Sequence, residues 1–284
     1  MRIISSVAEM QKWSAEEQIG GHTIGFVPTM GALHEGHAKL FVRSVSEQTR
    51  TVVSIFVNPL QFNSETDLAA YPRQLEKDIA IAEEQGVDVL FTPSHAEMYP
   101  LGFSSNISAG PIASHMEGLH RPGHFDGVAT VVVKLLNAVA PTVSYFGEKD
   151  FQQVAVIRQV VRDLNIPCEV TSVPTVRDQF GLALSSRNTR LTAERLGQAR
   201  QIYILLSEIA EKCRTHETFS SAVKDRFTTE LPAVTAATVE YVEVVDSNTL
   251  QPAQIASNGT TICVAVWFGD VRLIDNVSIG PALA

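Results

Sequence analysis

Phe26-Val27-Pro28-Thr29-Met30-Gly31-Ala32-Leu33-His34-Glu35-Gly36-His37 decides how this chain is read. An apolar strand, Thr23-Ile24-Gly25-Phe26-Val27, runs into a turn that contains Pro28 and Gly31. An amphipathic helix follows, with Ala38, Phe41, Val42 and Val45 expected on its buried face. His34 and His37 therefore fall at a strand-to-helix junction, where unpaired backbone N–H groups meet the positive end of the helix dipole. Such a junction binds anions, phosphates above all. Imidazoles there add donors that follow charge as it develops on a phosphate oxygen. The zinc-protease helix is excluded by spacing: its histidines stand four apart, whereas His34 and His37 stand three apart.

Outward from this stretch, strand and helix patterns alternate. Arg2 to Ser5 reads as a short strand, and Val7 to Gln18 as a helix capped by Ser6 and stopped at Gly20-Gly21. Thr51 to Val57 is nearly continuous and β-branched, as in a strand buried on both faces of a parallel sheet. Tyr71 to Gln85 reads as a helix with Leu75, Ile79 and Ala82 on one face, and Val87 to Phe91 as the next strand. Asn106 to Gly110 reads as an edge strand. Val128 to Val139 and Phe151 to Asn165 read as helices, separated by a strand over Val143 to Phe146. Glu169 to Val176 gives one more strand. This alternation predicts an α/β fold with an open, doubly wound parallel sheet. Ligands of such sheets bind beyond the carboxyl ends of the strands, which puts His34, His37, Asn58 and Gln61 on one rim.

After Val176 the pattern changes. Helices over Thr192 to Cys213 and Ser220 to Leu231 precede strands over Val239 to Asp246, Thr260 to Phe268 and Val271 to Ile274. A smaller α+β domain over residues 177–284 is expected after a first domain over 1–176.

The bulk properties exclude several classes. The 284 residues carry a net charge of -9 and 45% apolar residues, with no basic footprint for nucleic acid. No apolar run reaches membrane-spanning length, and the N-terminus is too short and mixed for a signal peptide. Three scattered cysteines, Cys168, Cys213 and Cys263, suit a reducing compartment, so a cytoplasmic protein is expected.

Three further segments carry chemistry. Gly147-Glu148-Lys149-Asp150 closes a strand and opens a helix; Gly147 permits close backbone approach and Lys149 offers a mobile charge to phosphate or carboxylate oxygens. Asp150 either caps the helix or accepts bonds from a ribose. Leu184-Ser185-Ser186-Arg187-Asn188 combines hydroxyl and guanidinium donors that suit the β- and γ-phosphates of ATP. Asn58 and Gln61 are amides suited to a hydroxy acid. His120, Arg121 and His124 either line the cleft or build a structural loop. Asp78 and Glu76 read as a solvated helix face, with a hydrated magnesium ion as the alternative role.

The His-x-Gly-His string is the mark of the nucleotidylyltransferases, and the longer string Pro28 to His37 resembles the pantothenate synthetase (pantoate–β-alanine ligase) family. Phe56 to Phe62, Gly147 to Gln153 and Leu182 to Asn188 agree with that family in order, and His120 to Asp126 joins them. The resemblance covers nearly the whole first domain and continues, with weaker motifs, into the second. It implies a Rossmann-like first domain, a C-terminal lid and a homodimer formed through the first domain. It also implies ATP-dependent condensation of pantoate with β-alanine through pantoyl adenylate, with Mg²⁺. Carried over by residue, Met30 to His37, that is Met30, Gly31, Ala32, Leu33, His34, Glu35, Gly36 and His37, would hold ATP together with Gly147, Glu148, Lys149 and Asp150. Val176, Leu184, Ser185, Ser186 and Arg187 would close on it. His34, His37, Lys149 and Arg187 would be catalytic, and Gln61, Gln153 and Asn58 would bind pantoate or β-alanine. Some members have Met in place of Leu184, and some carry extra acidic residues near Asp78, so the protein ligands of magnesium stay undefined. The rivals are a nucleotide-coenzyme adenylyltransferase and a catalytically silent nucleotide sensor.

Overall fold

The computed structural model describes residues 1–280. The first half begins with β1 (Arg2–Ile4), α1 (Val7–Ile19), β2 (Ile24–Thr29), α2 (Glu35–Glu47) and β3 (Arg50–Ile55). Next come α3 (Glu65–Ala70), α4 (Leu75–Glu84), β4 (Val89–Phe91), α5 (His95–Met98) and α6 (Glu117–His120). Then α7 (His124–Val139), β5 (Val143–Gly147), α8 (Phe151–Asp163) and β6 (Glu169–Val173) complete it. The six strands form one parallel sheet in the order β1-β4-β3-β2-β5-β6. Strand order reverses between β2 and β5, so the crevice expected of a doubly wound sheet opens beyond their carboxyl ends.

The crevice has a local cause. β2 pairs with β5 only at Gly25 and Phe26, whereas it pairs with β3 as far as Thr29. Beyond Phe26 the two central strands part. Pro28 sits there without loss: the Thr29 carbonyl accepts the Phe56 N–H on the β3 side, so position 28 faces the side where pairing has ended.

The second half holds α9 (Ala193–Ala199), α10 (Gln201–Thr215), β7 (Thr218–Phe219) and α11 (Ser220–Val234). After these come β8 (Thr238–Asp246), β9 (Ile255–Ala256), β10 (Thr260–Phe268) and β11 (Val271–Ile279). β11-β10-β8 form an antiparallel sheet whose apolar face packs on α10 and α11. A small cluster of Met116, Val245, Leu250 and Cys263, with Phe151 and Tyr241 beside it, joins the two halves. Next to it Arg272 of β11 grips Glu117 of α6 with two bonds of 2.7 Å, and Tyr241 donates to the same carboxylate at 2.9 Å. Burial works against ionisation of Glu117, but Arg272 and Arg121 hold its carboxyl below the usual range.

Several expectations are corrected. On α2 the buried residues are Leu40, Phe41 and Ser44, while Val42 and Val45 are 48% and 40% exposed. The stripe is displaced because α2 lies close over β2: a Cβ on Gly25 would sit 2.1 Å from the Ser44 hydroxyl, which bonds Thr51 at 2.8 Å. Tyr71 does not begin a helix. Pro72 holds it extended, and α4 starts at Leu75, which is exposed, while Asp78 takes the inward position. Asn106 to Gly110 is not a strand; its amides bond side chains of α7, Ile107 to Thr130 and Ala109 to Asp126. The helix expected over Thr192 to Cys213 divides at Arg200, and β11 runs to Ile279.

Candidate functional site

The turn after β2 is held from within. Gly31 and Ala32 have φ of 78° and 51°, which aims the next two amides inward. The Asp78 carboxylate accepts from Ala32 N at 3.0 Å and from Leu33 N at 2.8 Å. Burial raises the Asp78 pKa, and the two amide bonds act against that rise. Thr29 Oγ1 accepts the Gly31 N–H and donates to Ser54 O. Asp78 is therefore neither a solvated residue nor a free metal ligand, and only Glu76 lies on the exposed side. The amides of Gly31, Ala32 and Leu33 are thus used inside the turn.

The histidines come next. His34 is the N-cap of α2: its Nδ1 accepts the Gly36 N–H at 3.1 Å. His37 Nδ1 accepts the His34 N–H at 3.3 Å, and the two ring centroids lie 4.1 Å apart. Both Nδ1 atoms act as acceptors, so both protons reside on Nε2, assigned here from the hydrogen bonds. A Cβ on Gly36 would stand 2.8 Å from the His34 ring, so only glycine lets the ring close over the helix start. Burial, then the Lys149 charge, lowers the His34 pKa to about 4; burial, then His34 and Lys149, lowers that of His37 to about 3. Both rings are neutral donors at neutral pH.

The turn after β5 is a short 3-10 segment, Glu148–Asp150, leading into α8. Lys149 Nζ lies 3.6 Å from the Asp150 carboxylate, and Asp150 makes no side-chain cap bond. Glu148 turns away to accept from Ser172 at 2.9 Å. Gln152 is buried, donating to Ile112 O and His115 O, whereas Gln153 faces the crevice. Across it, Ser185 Oγ accepts the Arg187 N–H, and Arg187 and Arg190 each reach Asp67 at 3.5 Å.

Asn58 is corrected as a direct ligand. Its Oδ1 accepts from Tyr99 Oη at 2.7 Å and Leu60 N at 3.3 Å; its Nδ2 donates to Gln61 Oε1 at 3.0 Å and Gly127 O at 3.1 Å. That uses the amide's full capacity. What it does is orient Gln61, whose oxygen is turned to Asn58 and whose NH₂ donates to Met30 Sδ at 3.2 Å. His124 Nδ1 donates to Gln61 O at 2.8 Å and its Nε2 accepts from Arg121. Both readings of the His120–His124 segment hold together: His124 and Arg121 line the crevice and also fix the Gln61 backbone.

One cavity of about 230 Å³ gathers His34, His37, Gln61, Lys149, Gln153 and Arg187. Met30, Gly36, Gly147 and Asp150 also line it, as do Val176, Leu184, Ser185 and Ser186. Gly31, Ala32, Leu33, Glu35, Asn58 and Glu148 do not. Sequence reasoning missed Tyr71, which lines the cavity with Ser186 and Arg187; burial raises its pKa. The Tyr71-Pro72 pair was the available signal, since it breaks the helix at that point. A second cavity of about 580 Å³ adjoins, sharing Arg121, Lys149 and Arg187 and adding His120, Arg190 and Arg272. Among the described residues, no three His, Cys, Asp or Glu side chains come together to hold a metal ion, and no helix is long and apolar enough to cross a membrane.

Residues 2–278 match the family described as pantoate-beta-alanine ligase. A pantothenate synthetase of Heliobacterium modesticaldum is 46% identical over 283 residues, covering 98% of this chain and 99% of the relative. One from Aquifex aeolicus is 46% identical over 278 residues, with coverage of 96% and 97%. The crystal structure of pantothenate synthetase from Thermus thermophilus superposes with a TM-score of 0.92 at 44% identity, covering 99% of this chain and 100% of that one. The pantoate-beta-alanine ligase of Francisella tularensis, complexed with beta-gamma ATP and beta-alanine, gives 0.83 at 39% identity, with coverage of 98% and 97%.

Proposed function

The chain belongs to the pantoate-beta-alanine ligase family and joins pantoate to β-alanine at the expense of ATP, and from that premise we propose how its residues divide the work. Residues 1–176 bind nucleotide and pantoate, and 177–284 form the lid. The separate apolar cores on either side of that boundary support the division.

A carboxylate is a poor acylating agent because oxide is a poor leaving group. In the first step a pantoate carboxylate oxygen bonds to the α-phosphorus, the bond to the bridging oxygen breaks, and pyrophosphate leaves. Negative charge grows on that bridging oxygen. The Nε2–H groups of His34 and His37, the Lys149 ammonium and Arg187 stabilise it, with Ser185 and Ser186 on the outer phosphates. Each well-placed donor contributes roughly 3 kcal/mol to the transition state. Gln61 can only donate towards the cavity, which suits the oxygens of pantoate; Gln153 faces the same space. In the second step the β-alanine nitrogen bonds to the acyl carbon, the acyl–oxygen bond breaks, AMP leaves and the amine proton is lost. No enzyme nucleophile is needed: Cys213 and Cys263 are buried, and burial raises the Cys168 thiol to about 12.

Asp78 is committed to the turn and, among the described residues, no three His, Cys, Asp or Glu side chains gather at the cavity, so the residues present do not make an all-protein cage for magnesium. We therefore write the ion as part of the substrate, MgATP, and route no step through it. A cytoplasmic homodimer through the first domain completes the proposal. Free thiols at Cys168, Cys213 and Cys263 and the exposed Val42 and Val45 of α2 are consistent with it, and sedimentation of the purified protein tests the dimer.

The observation that carries the reading is the convergence of both imidazoles, Lys149, Arg187, Gln61 and Gln153 on one cavity at the strand-order reversal. The test is exchange of labelled pyrophosphate into ATP with pantoate and no β-alanine. Exchange is expected; a strict need for the amine would remove the free-standing adenylate.

A further inference from the structure

One side chain of the second sheet reaches into the turn that carries Lys149. Asn276 on β11 donates its Nδ2 hydrogens to Glu148 O at 2.9 Å and Lys149 O at 3.1 Å. It is only 9% exposed, and its backbone is held in turn. Its N–H donates to Asp275 Oδ1 at 2.8 Å, and its carbonyl accepts from Arg177 at 3.3 Å. Arg177 grips the Asp275 carboxylate with bonds of 2.7 and 2.9 Å and lies 3.7 Å over the Tyr203 ring. Arg177 also roots the phosphate-facing loop. It donates to Gly181 O and pairs across the hairpin with Ala183, next to the backbone bond from Leu184 N to Val176 O.

A single buried polar unit is thus bonded to two loops. One side leads to Lys149 in the first domain, the other to Arg187 in the second. An asparagine amide suits the joint because it has two hydrogens for two carbonyls. An aspartate there would turn a charged acceptor on the same two oxygens.

We propose that Asn276 is a positioning residue for the reaction: through Arg177 and Asp275 it holds the Lys149 turn in register with the Arg187 loop, so docking of the lid and assembly of the phosphate site are one event. This rests on the role given to Lys149 above. Asn276→Ala should lower the pantoate-dependent pyrophosphate exchange rate about tenfold and raise KM for ATP, leaving KM for pantoate unchanged. Asn276→Ser, which keeps one donor, should recover part of the rate, and Asn276→Asp should fall below alanine.

A cycle with Lys149→Ala, read as ATP affinity by calorimetry, decides the matter. Asn276→Ala should weaken ATP binding when Lys149 is present and add nothing when it is absent. Equal losses in both backgrounds, or a serine variant no better than alanine, would overturn the proposal. If Lys149→Ala alone leaves affinity and exchange intact, the assignment of Lys149 fails first and takes this inference with it. A normal Lys149 effect beside a silent Asn276→Ala sinks this inference alone. Matching circular dichroism of the serine and alanine variants keeps the comparison free of misfolding.

Discussion

The turn after β2 and the turn after β5 face each other across one crevice, yet they are secured in opposite ways. The first is closed by its own domain: Asp78, Thr29 and the paired imidazoles together occupy its amides. The second has no such internal lock, and Asp150 makes no cap bond. Its carbonyls are held by Asn276 from the other sheet. One side of the crevice is therefore held by the first domain alone, while the turn on the other side is also tied to the second. Preorganisation lowers the cost of reaching the reactive geometry, and a docking-dependent half ties that geometry to exclusion of water from a hydrolysable acyl phosphate.

The widest effect should come from undoing the joint between domains. Arg272→Met takes both short guanidinium bonds from the buried Glu117 carboxylate, leaving it Tyr241 and the more distant Arg121, and should cost up to about 3 to 5 kcal/mol, read by thermal melting. Hydrogen exchange should accelerate across residues 147–150 and not across 31–34; equal acceleration would erase the contrast. His37→Ala removes one Nε2–H donor and should lower the pyrophosphate exchange rate by roughly 10² to 10³ with the circular dichroism spectrum unchanged. Wild-type turnover in that variant would take His37 out of the mechanism.

Asp78→Asn replaces one of two acceptor oxygens by a donor facing an amide. A loss of about 1 to 3 kcal/mol is expected, with exchange quickened at 31–34 and little changed at 147–150. The last test concerns pH. The folded pKa values of His34 and His37, about 4 and about 3, lie below the ordinary 6.5, so between pH 6.5 and those values the unfolded chain binds more protons. Stability should fall as pH drops through that window, while the two folded imidazoles stay neutral until pH nears their own lowered values. The rate profile should then show no imidazole inflection near pH 6.5. A clear inflection there that disappears in His34→Gln would contradict the neutral pair.

Much of the fold is legible in the residues alone. Alternating β-branched runs and amphipathic helices announce the parallel sheet, and the glycine-rich strand ends announce where ligands meet it. The partners that hold the turns are not legible. Asp78 reads as a solvated carboxylate because its partners are backbone amides of Ala32 and Leu33, and no side-chain pattern marks a buried acid that bonds main chain. Asn58 reads as a ligand for the same reason: its residue type fits a hydroxy acid as well as it fits Tyr99, Gln61 and Gly127. On α2, periodicity counts valines as inward, whereas close helix–strand contact at Gly25 selects Ser44. Asn276 lies 127 residues from Lys149, a pairing that only the folded chain brings about.

The paired imidazoles have one more consequence. Two rings with centroids 4.1 Å apart would ordinarily make a ready chelate for zinc or copper. Here each Nδ1 lone pair is already engaged by the start of α2, and each Nε2 carries a proton. A soft cation would have to unpick the helix cap before it found a ligand. With both Nδ1 atoms spent on the start of the helix, neither ring offers a free lone pair to a metal ion while the cap stays intact.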